Sequence, residues 1–319
     1  AWQRDALPPL LEPHREYWRS SLREGALTPL EMPLDFPRPA VQTFRGDTVP
    51  VALPADLVQR LEEVCRAQGC TLFQLVLALW ALLLCRHAGQ EEVVVGTPYH
   101  GRDVAGTEGM IGYLVNMLPL RVDVPRGGTV GGLLRCAREA AAGGIVHAAL
   151  PFQQMVEEEL PRRAFDASRN AVFQTMLAWE DDAELELASR GMGQSIGWGG
   201  SVRLEAAEVE AATSGTAQVE LTLSVGVGAS GGIEGRIEFN TDLFERGSVE
   251  RLAGRLAVLA EALGGAPAEA EVWSLPLISA AEEQQVLSAF NDTAAEYPTD
   301  LCVHDLVERQ VQRSPDGVA

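Results

Sequence analysis

Every cation in this chain is an arginine: the sequence holds 25 of them and no lysine, against 45 carboxylates, for a formal charge of −20. That removes the Schiff-base lysine, the pyridoxal-phosphate lysine and the P-loop lysine from the possible chemistries. Histidine, carboxylate, hydroxyl, thiol and backbone dipoles remain. The five histidines are His14, His87, His100, His147 and His304, and none has a partner at metal-ligand spacing along the chain. His14 and His304 fall on expected helix surfaces. His87 closes an apolar helix, where a cation suits the carbonyl end. His100 and His147 lie in connecting sequence, where functional residues concentrate. The runs Glu157-Glu158-Glu159 and Glu180-Asp181-Asp182 read as solvated faces and make no case for a glycosidase pair.

Two well-known patterns occur out of context. Gly193-Gln194-Ser195-Ile196-Gly197 matches the serine-hydrolase elbow, but Trp198-Gly199-Gly200 and an expected strand follow it, where the elbow requires a helix. A glycine-rich loop over Gly191–Gly200 is the simpler reading, with a Ser195 hydrolase kept as a minor alternative. Gly226-Val227-Gly228-Ala229-Ser230-Gly231 matches the dinucleotide fingerprint. A strand comes next there too, so no helix dipole can face a pyrophosphate, and a hairpin turn is expected.

Three segments carry polar groups where composition does not call for them. Ile111–Arg121 places Asn116 and Arg121 in an otherwise apolar strand. An Asn there should satisfy a buried polar group or line a channel, with a bulge residue as the equal alternative. His147-Ala148-Ala149-Leu150-Pro151-Phe152-Gln153 sets a histidine just ahead of a proline-started helix. Asp166-Ala167-Ser168-Arg169-Asn170 strings polar groups before a strand and reads as a turn with an internal Asp–Arg pair.

The elements that must position these groups follow from periodicity. Helices are expected over Glu12–Arg23, from Pro54 to Gly69 with Leu57, Leu61 and Val64 on one face, and from a Thr71/Gln74 capping box through Cys85. Further helices are expected over Thr129–Ala142, Pro151–Leu160, from a Ser248 cap to Gly264-Gly265, from a Ser279/Glu282 box to Phe290, and over Val303–Gln312. Strands are expected at Thr48–Leu53, Val93–Val95, Leu114–Val124 (with Pro119 marking an edge or bulge), Ala171–Trp179, Val202–Val209, Ala217–Val227 and Ile233–Phe239. Pro33, Pro37 and Pro39 mark an extended connector. The set predicts an α/β layered fold with a mixed, mostly antiparallel sheet and flanking helices. A chain of 319 residues with 46% apolar content has ample core for one large or two ordinary domains. Its acidity disfavours nucleic acid and anionic membranes as partners. The longest apolar run, Leu75–Cys85, is short of the roughly 20 residues of a membrane span. Five cysteines without metal spacing (Cys65, Cys70, Cys85, Cys136, Cys302) read as reduced thiols of a cytoplasmic protein. Both ends look cut, as in a piece of a longer chain.

The three polar segments, in this order and spacing, resemble the fifth, sixth and seventh core motifs of non-ribosomal peptide synthetase condensation domains. For [IV]GxFVNT followed by Arg, the chain keeps Ile111, Gly112, Val115, Asn116 and Arg121, with Leu114 and Met117 as departures. For HQDxPFE it keeps His147, Pro151 and Phe152, while Ala148, Ala149 and Gln153 depart. For RDxSRNPL it keeps Asp166, Ser168, Arg169 and Asn170, while Phe165, Ala171 and Val172 depart. Tyr17-Trp18, Val95-Gly96-Thr97-Pro98, Gly101-Arg102 and Thr241-Asp242-Leu243-Phe244 agree as well. Phe290-Asn291-Asp292-Thr293 resembles the linker into an adenylation domain, and Cys302-Val303-His304 with Ser314-Pro315-Asp316 resembles that domain's first helix.

The resemblance implies the carboxy-terminal lobe of a chloramphenicol-acetyltransferase-like fold at residues 1–275, a linker at 276–300 and the start of an adenylation domain at 301–319. It implies amide formation between carrier-bound acyl or peptidyl and aminoacyl thioesters, in a tunnel between two lobes. The family's catalytic HHxxxDG motif is absent, so no catalytic residue, cofactor or metal is assigned to this chain, and inactivity alone is expected. Substrates would arrive on phosphopantetheine arms. The implied partners are upstream and downstream carrier domains, the amino-terminal lobe and the adenylation domain. An epimerisation domain and a non-catalytic carrier-docking lobe are the alternatives.

Overall fold

Eleven consecutive buried residues, Leu75–Cys85, form the axis of the fold. A helix apolar on every side must be enclosed, and the other elements enclose this one. The structure is a computed structural model that describes residues 11–22, 28–102, 106–107, 110–159, 166–180, 196–198, 202–204, 215–296, 299–315 and 317. It divides into two units, residues 1–277 and 278–319.

In the first unit the helices are α1 (Glu12–Ser21), α2 (Ala55–Gln68), α3 (Leu72–Ala88), α4 (Val130–Val146), α5 (Phe152–Glu159) and α6 (Arg246–Gly265). The strands are β1 (Gly46–Leu53), β2 (Glu92–Tyr99), β3 (Asn116–Asp123), β4 (Thr175–Trp179), β5 (Ile196–Trp198), β6 (Val202–Leu204), β7 (Leu221–Val227) and β8 (Ile233–Asn240). Six strands form one sheet in the order β1-β8-β7-β4-β2-β3. The pairs β1–β8, β7–β8 and β2–β3 are antiparallel; β4 is parallel to both its neighbours. Each edge strand carries a proline, Pro50 in β1 and Pro119 in β3, which fits the sequence expectation for Pro119 and blunts the edges. The axial helix α3 packs on α2, α4 and α6, and its Trp80 Nε1 donates to the buried Thr175 Oγ1 of β4 at 2.9 Å.

Local chemistry sets the element ends. Thr71 and Gln74 form the expected capping box. Gly69 (φ +64°) and Gly89 (φ +68°) close α2 and α3 in the left-handed conformation that glycine adopts without strain. The β7–β8 connection is the expected hairpin, with Gly228 N–H donating to Gly232 O at 2.8 Å.

Several expectations shift. Ser248 does not cap α6: Glu245 holds the cap position, because the Ser248 hydroxyl is committed to Asp35 Oδ1 at 2.8 Å on the proline-rich connector. His87 is no cation at a helix end. Its Nδ1 meets Leu83 O at 2.8 Å and its Nε2 meets Arg255 Nη1 at 2.7 Å, a pattern that needs a neutral ring accepting from the guanidinium. The strand expected from Leu114 begins at Asn116. Arg102 draws the backbone before it into a loop, donating to Thr107 O, Met110 O and Gly112 O. The glycine-rich stretch 191–200 is not all loop, since β5 pairs antiparallel with β6; Ser195 lies outside the described residues. The strand that follows it lacks the helix an elbow needs. Of the strand expected at Val202–Val209, residues 205–209 also lie outside.

Helix α4 runs one turn beyond expectation, through Gly143 and Gly144. A glycine pair costs a helix about 1 kcal/mol per residue relative to alanine. Here both are needed for close approach: a Cβ on Gly143 would meet Tyr17 Oη at 2.3 Å, and one on Gly144 would meet Leu120 Cδ2 at 2.5 Å. Gly143→Ala therefore lowers the melting temperature despite its better helix propensity, and the same substitution in a Tyr17→Leu background raises it. Thermal denaturation of the four proteins checks this.

The second unit contains α7 (Ala280–Gln284), capped by Ser279 Oγ accepting from Glu282 N–H, a π turn over Gln285–Ala289, and α8 (Val303–Arg313). No single helix among the described residues is long and apolar enough to cross a membrane.

Candidate functional site

Asn116 opens β3, and its amide exhausts its hydrogen-bonding capacity on backbone. Nδ2 donates to Ala148 O and Leu150 O, both at 2.9 Å; Oδ1 accepts from Phe152 N–H at 2.9 Å and Met117 N–H at 3.0 Å. Of the three roles the sequence left open, satisfying enclosed polar groups is the one its geometry performs. The side chain ties the segment from His147 to Phe152 onto the end of the sheet. Pro151 sits inside the tied segment, and its carbonyl accepts from Met155 N–H at 3.0 Å to start α5.

His147 caps the end of α4. Its carbonyl accepts from the Nε1–H of the fully buried Trp18 at 2.9 Å. Its ring stacks on Tyr17, with centroids 4.1 Å apart and planes 9° from parallel. Its Nδ1 lies 3.1 Å from His14 Nδ1. Burial first, and the neighbouring His14 second, hold the His147 imidazole below its ordinary value. Arg15 adds an ion pair from α1 to Glu158 of α5 at 2.6 Å. Tyr17 and Trp18 were visible in the sequence as a matching dipeptide; His14 carried no signal beyond a helix surface, because its partner lies 133 residues away.

The seventh-motif residues form the expected turn. Asp166 Oδ1 accepts from Ser168 N–H at 2.9 Å and Ser168 Oγ–H at 2.6 Å, which draws its carboxyl below the usual range. Arg169 pairs with Asp166 at 3.0 Å and Glu31 at 2.7 Å. Asn170 Oδ1 accepts from Val172 N–H and Phe173 N–H, at 3.0 and 3.4 Å, which delays the following strand to Thr175. Beside this turn Arg38 grips the buried Glu220 with two bonds of 2.7 and 3.0 Å.

The two clusters meet through rings. Phe152 and Phe173 lie with centroids 5.6 Å apart. Phe173 covers Gly96 so closely that a Cβ there would stand 2.5 Å from its ring. Phe173 is the contact the motif comparison missed; the obligatory Gly96 opposite it was the available signal. Arg121 is not part of this assembly. It pairs with Glu92 at 2.6 Å and Asp123 at 3.0 Å, five residues and about 17 Å along the strand from Asn116. His100 Nδ1 accepts from Arg102 N–H at 3.0 Å.

Before β3, the loop drawn in by Arg102 leaves Ile111 97% and Tyr113 84% exposed. In the second unit Cys302, His304 and Asp305 are the only three possible metal-ligating groups brought together among the described residues. They sit at the N-terminus of α8, whose positive dipole end disfavours a cation, and Asp305 is spent accepting from Cys302 N–H at 2.9 Å.

The arrangement can position and enclose. None of the carried-over residues is poised as a nucleophile or as a general base aimed at open space.

Against known proteins, the family model described as "Condensation domain" matches residues 1–287. The chain is 35% identical over its whole length to a linear gramicidin synthase of Brevibacillus parabrevis, of which it spans 6%. It is 33% identical, again over its whole length, to malpinin synthetase of Mortierella alpina, of which it spans 4%. Among solved structures, a holo four-domain nonribosomal peptide synthetase bound to AMP and glycine superposes with a TM-score of 0.79. That match has 21% identity and covers 97% of this chain and 23% of the other. The first condensation domain of the calcium-dependent antibiotic synthetase, in complex with a substrate analogue, gives 0.61 at 20% identity, over 87% of this chain and 55% of that one. The fold is the chloramphenicol-acetyltransferase-like α/β layering of these proteins.

Proposed function

Because the chain belongs to the condensation-domain family, we propose that it supplies one wall of an amide-forming tunnel in a peptide assembly line. The match over residues 1–287 carries this reading. An amine on one carrier-bound aminoacyl thioester attacks the acyl or peptidyl thioester on another. The family's HHxxxDG histidine, which this sequence lacks, positions or deprotonates that amine, and fixed dipoles stabilise the oxyanion. The role left to this chain is rigid enclosure, supported by Asn116, Phe152, Phe173 and Gly96 locking three segments together. Phosphopantetheine belongs to the carrier domains, and this chain binds no cofactor of its own. The amino-terminal lobe, two carrier domains and an adenylation domain are its partners. Residues 276–300 act as the linker and 301–319 as the first residues of the adenylation domain, in a cytoplasmic synthetase. Ile111 and Tyr113 are the apolar groups offered to the other lobe.

Mixed with two loaded carrier proteins, the chain alone gives no dipeptidyl thioester above background by mass spectrometry. Joined to an amino-terminal lobe carrying HHxxxDG, it gives product. Product from the chain alone, or none from the joined protein, overturns the reading. A covalent serine probe that labels Ser195 would favour the hydrolase alternative instead.

A further inference from the structure

We infer that His14 is a positioning residue, clasping helix α1 to the His147–Phe152 segment through a single shared proton and letting go when a second proton arrives. The Nδ1 atoms of His14 and His147 stand 3.1 Å apart, so one must donate and the other accept. Two protonated rings would place two N–H donors and two cations face to face. The His147 ring cannot turn away cheaply. His147 is held flat on Tyr17 at 4.1 Å, its backbone is bonded to Trp18, and Tyr17 itself is seated in the notch left by Gly143.

The other charged groups on the elements that meet there do not replace this switch. On α1 these are Glu12, Arg15, Glu16 and Arg19; on α5, Glu157 and Glu158; farther down α4, Arg135, Arg138 and Glu139. Glu158 is held below the usual carboxylate range by its bond to Arg15, so that pair keeps both charges across the histidine range. The sign follows from His147 lying below its ordinary value of 6.5. The undocked state binds the extra proton more readily, so docking of α1 is undiminished above that value and weakens as the pH falls below it.

The segment concerned is the proposed tunnel wall, but the readout, docking of α1, is independent of amide formation. Hydrogen exchange of the full chain, corrected for intrinsic rates, follows the Leu22 N–H bonded to Trp18 O at 2.8 Å. Amides of β7 report that the core remains folded. On going from about pH 7.5 to about pH 5.5, protection at Leu22 falls by up to about tenfold per pH unit while β7 holds. His14→Gln, which cannot charge, flattens that dependence. His14→Lys, always charged and able only to donate, keeps protection at neutral pH, where His147 is neutral and accepts, and loses it in acid. An unchanged pH dependence in His14→Gln, or protection that persists down to about pH 5.5 in His14→Lys, overturns the inference.

Discussion

Asn116→Ala lowers the melting temperature of the chain by about 5–10 °C, from a loss of about 2–4 kcal/mol. The single amide serves Ala148 O, Leu150 O, Phe152 N–H and Met117 N–H. Truncation leaves all four to find water in a half-enclosed site, and an unsatisfied group costs more than the bond it made. Asn116→Asp separates the roles, since it keeps the two accepted bonds and sets a charge against two carbonyls. It is destabilised at neutral pH and recovers as the carboxyl protonates. Calorimetry of both variants checks this. A normal melting temperature for Asn116→Ala would show that the wall segment is held by its ring contacts alone.

Arg38→Ala costs still more, about 3–5 kcal/mol, because it strands a buried carboxylate. Glu220 is 5% exposed, and burial pushes its carboxyl up even with Arg38 in place. Without the guanidinium it rises further. A group whose folded value lies above its unfolded one costs nothing in acid and progressively more as the pH climbs through that interval. The variant's deficit is therefore smallest in acid and grows toward neutrality, and denaturant unfolding at a series of pH values reads it. Arg38→Ala with Glu220→Gln removes the pH dependence and regains part of the loss.

Much of the frame was legible in the sequence because its signals are local. The Thr71/Gln74 box, Gly69, Pro119 on an edge strand and the all-apolar Leu75–Cys85 each encode their own conformation within a few residues. The motif residues were legible as a set, but their work was not. That Asn116 bonds four backbone groups depends on bringing residue 152 to residue 116. That Gly143 must lack a side chain depends on Tyr17, more than a hundred residues earlier. Ser248 failed as a cap for the same reason, since Asp35 outcompeted its own helix. Arg121 entered with Asn116 on one motif and parted from it because strand geometry separates them.

The central strand β4 joins the two antiparallel halves of the sheet by parallel pairs alone, and the outermost pairing, β1 with β8, links chain positions roughly 190 residues apart. A chain growing from its amino terminus at about 5–20 residues per second holds β1 unpaired for on the order of 10–40 s. During that wait α3, already synthesised, has neither β4 nor α6 to cover it. The topology thus sets a kinetic vulnerability during synthesis, in which an apolar helix and an open strand edge wait for the carboxy-terminal third of the unit and invite aggregation or chaperone capture until it emerges.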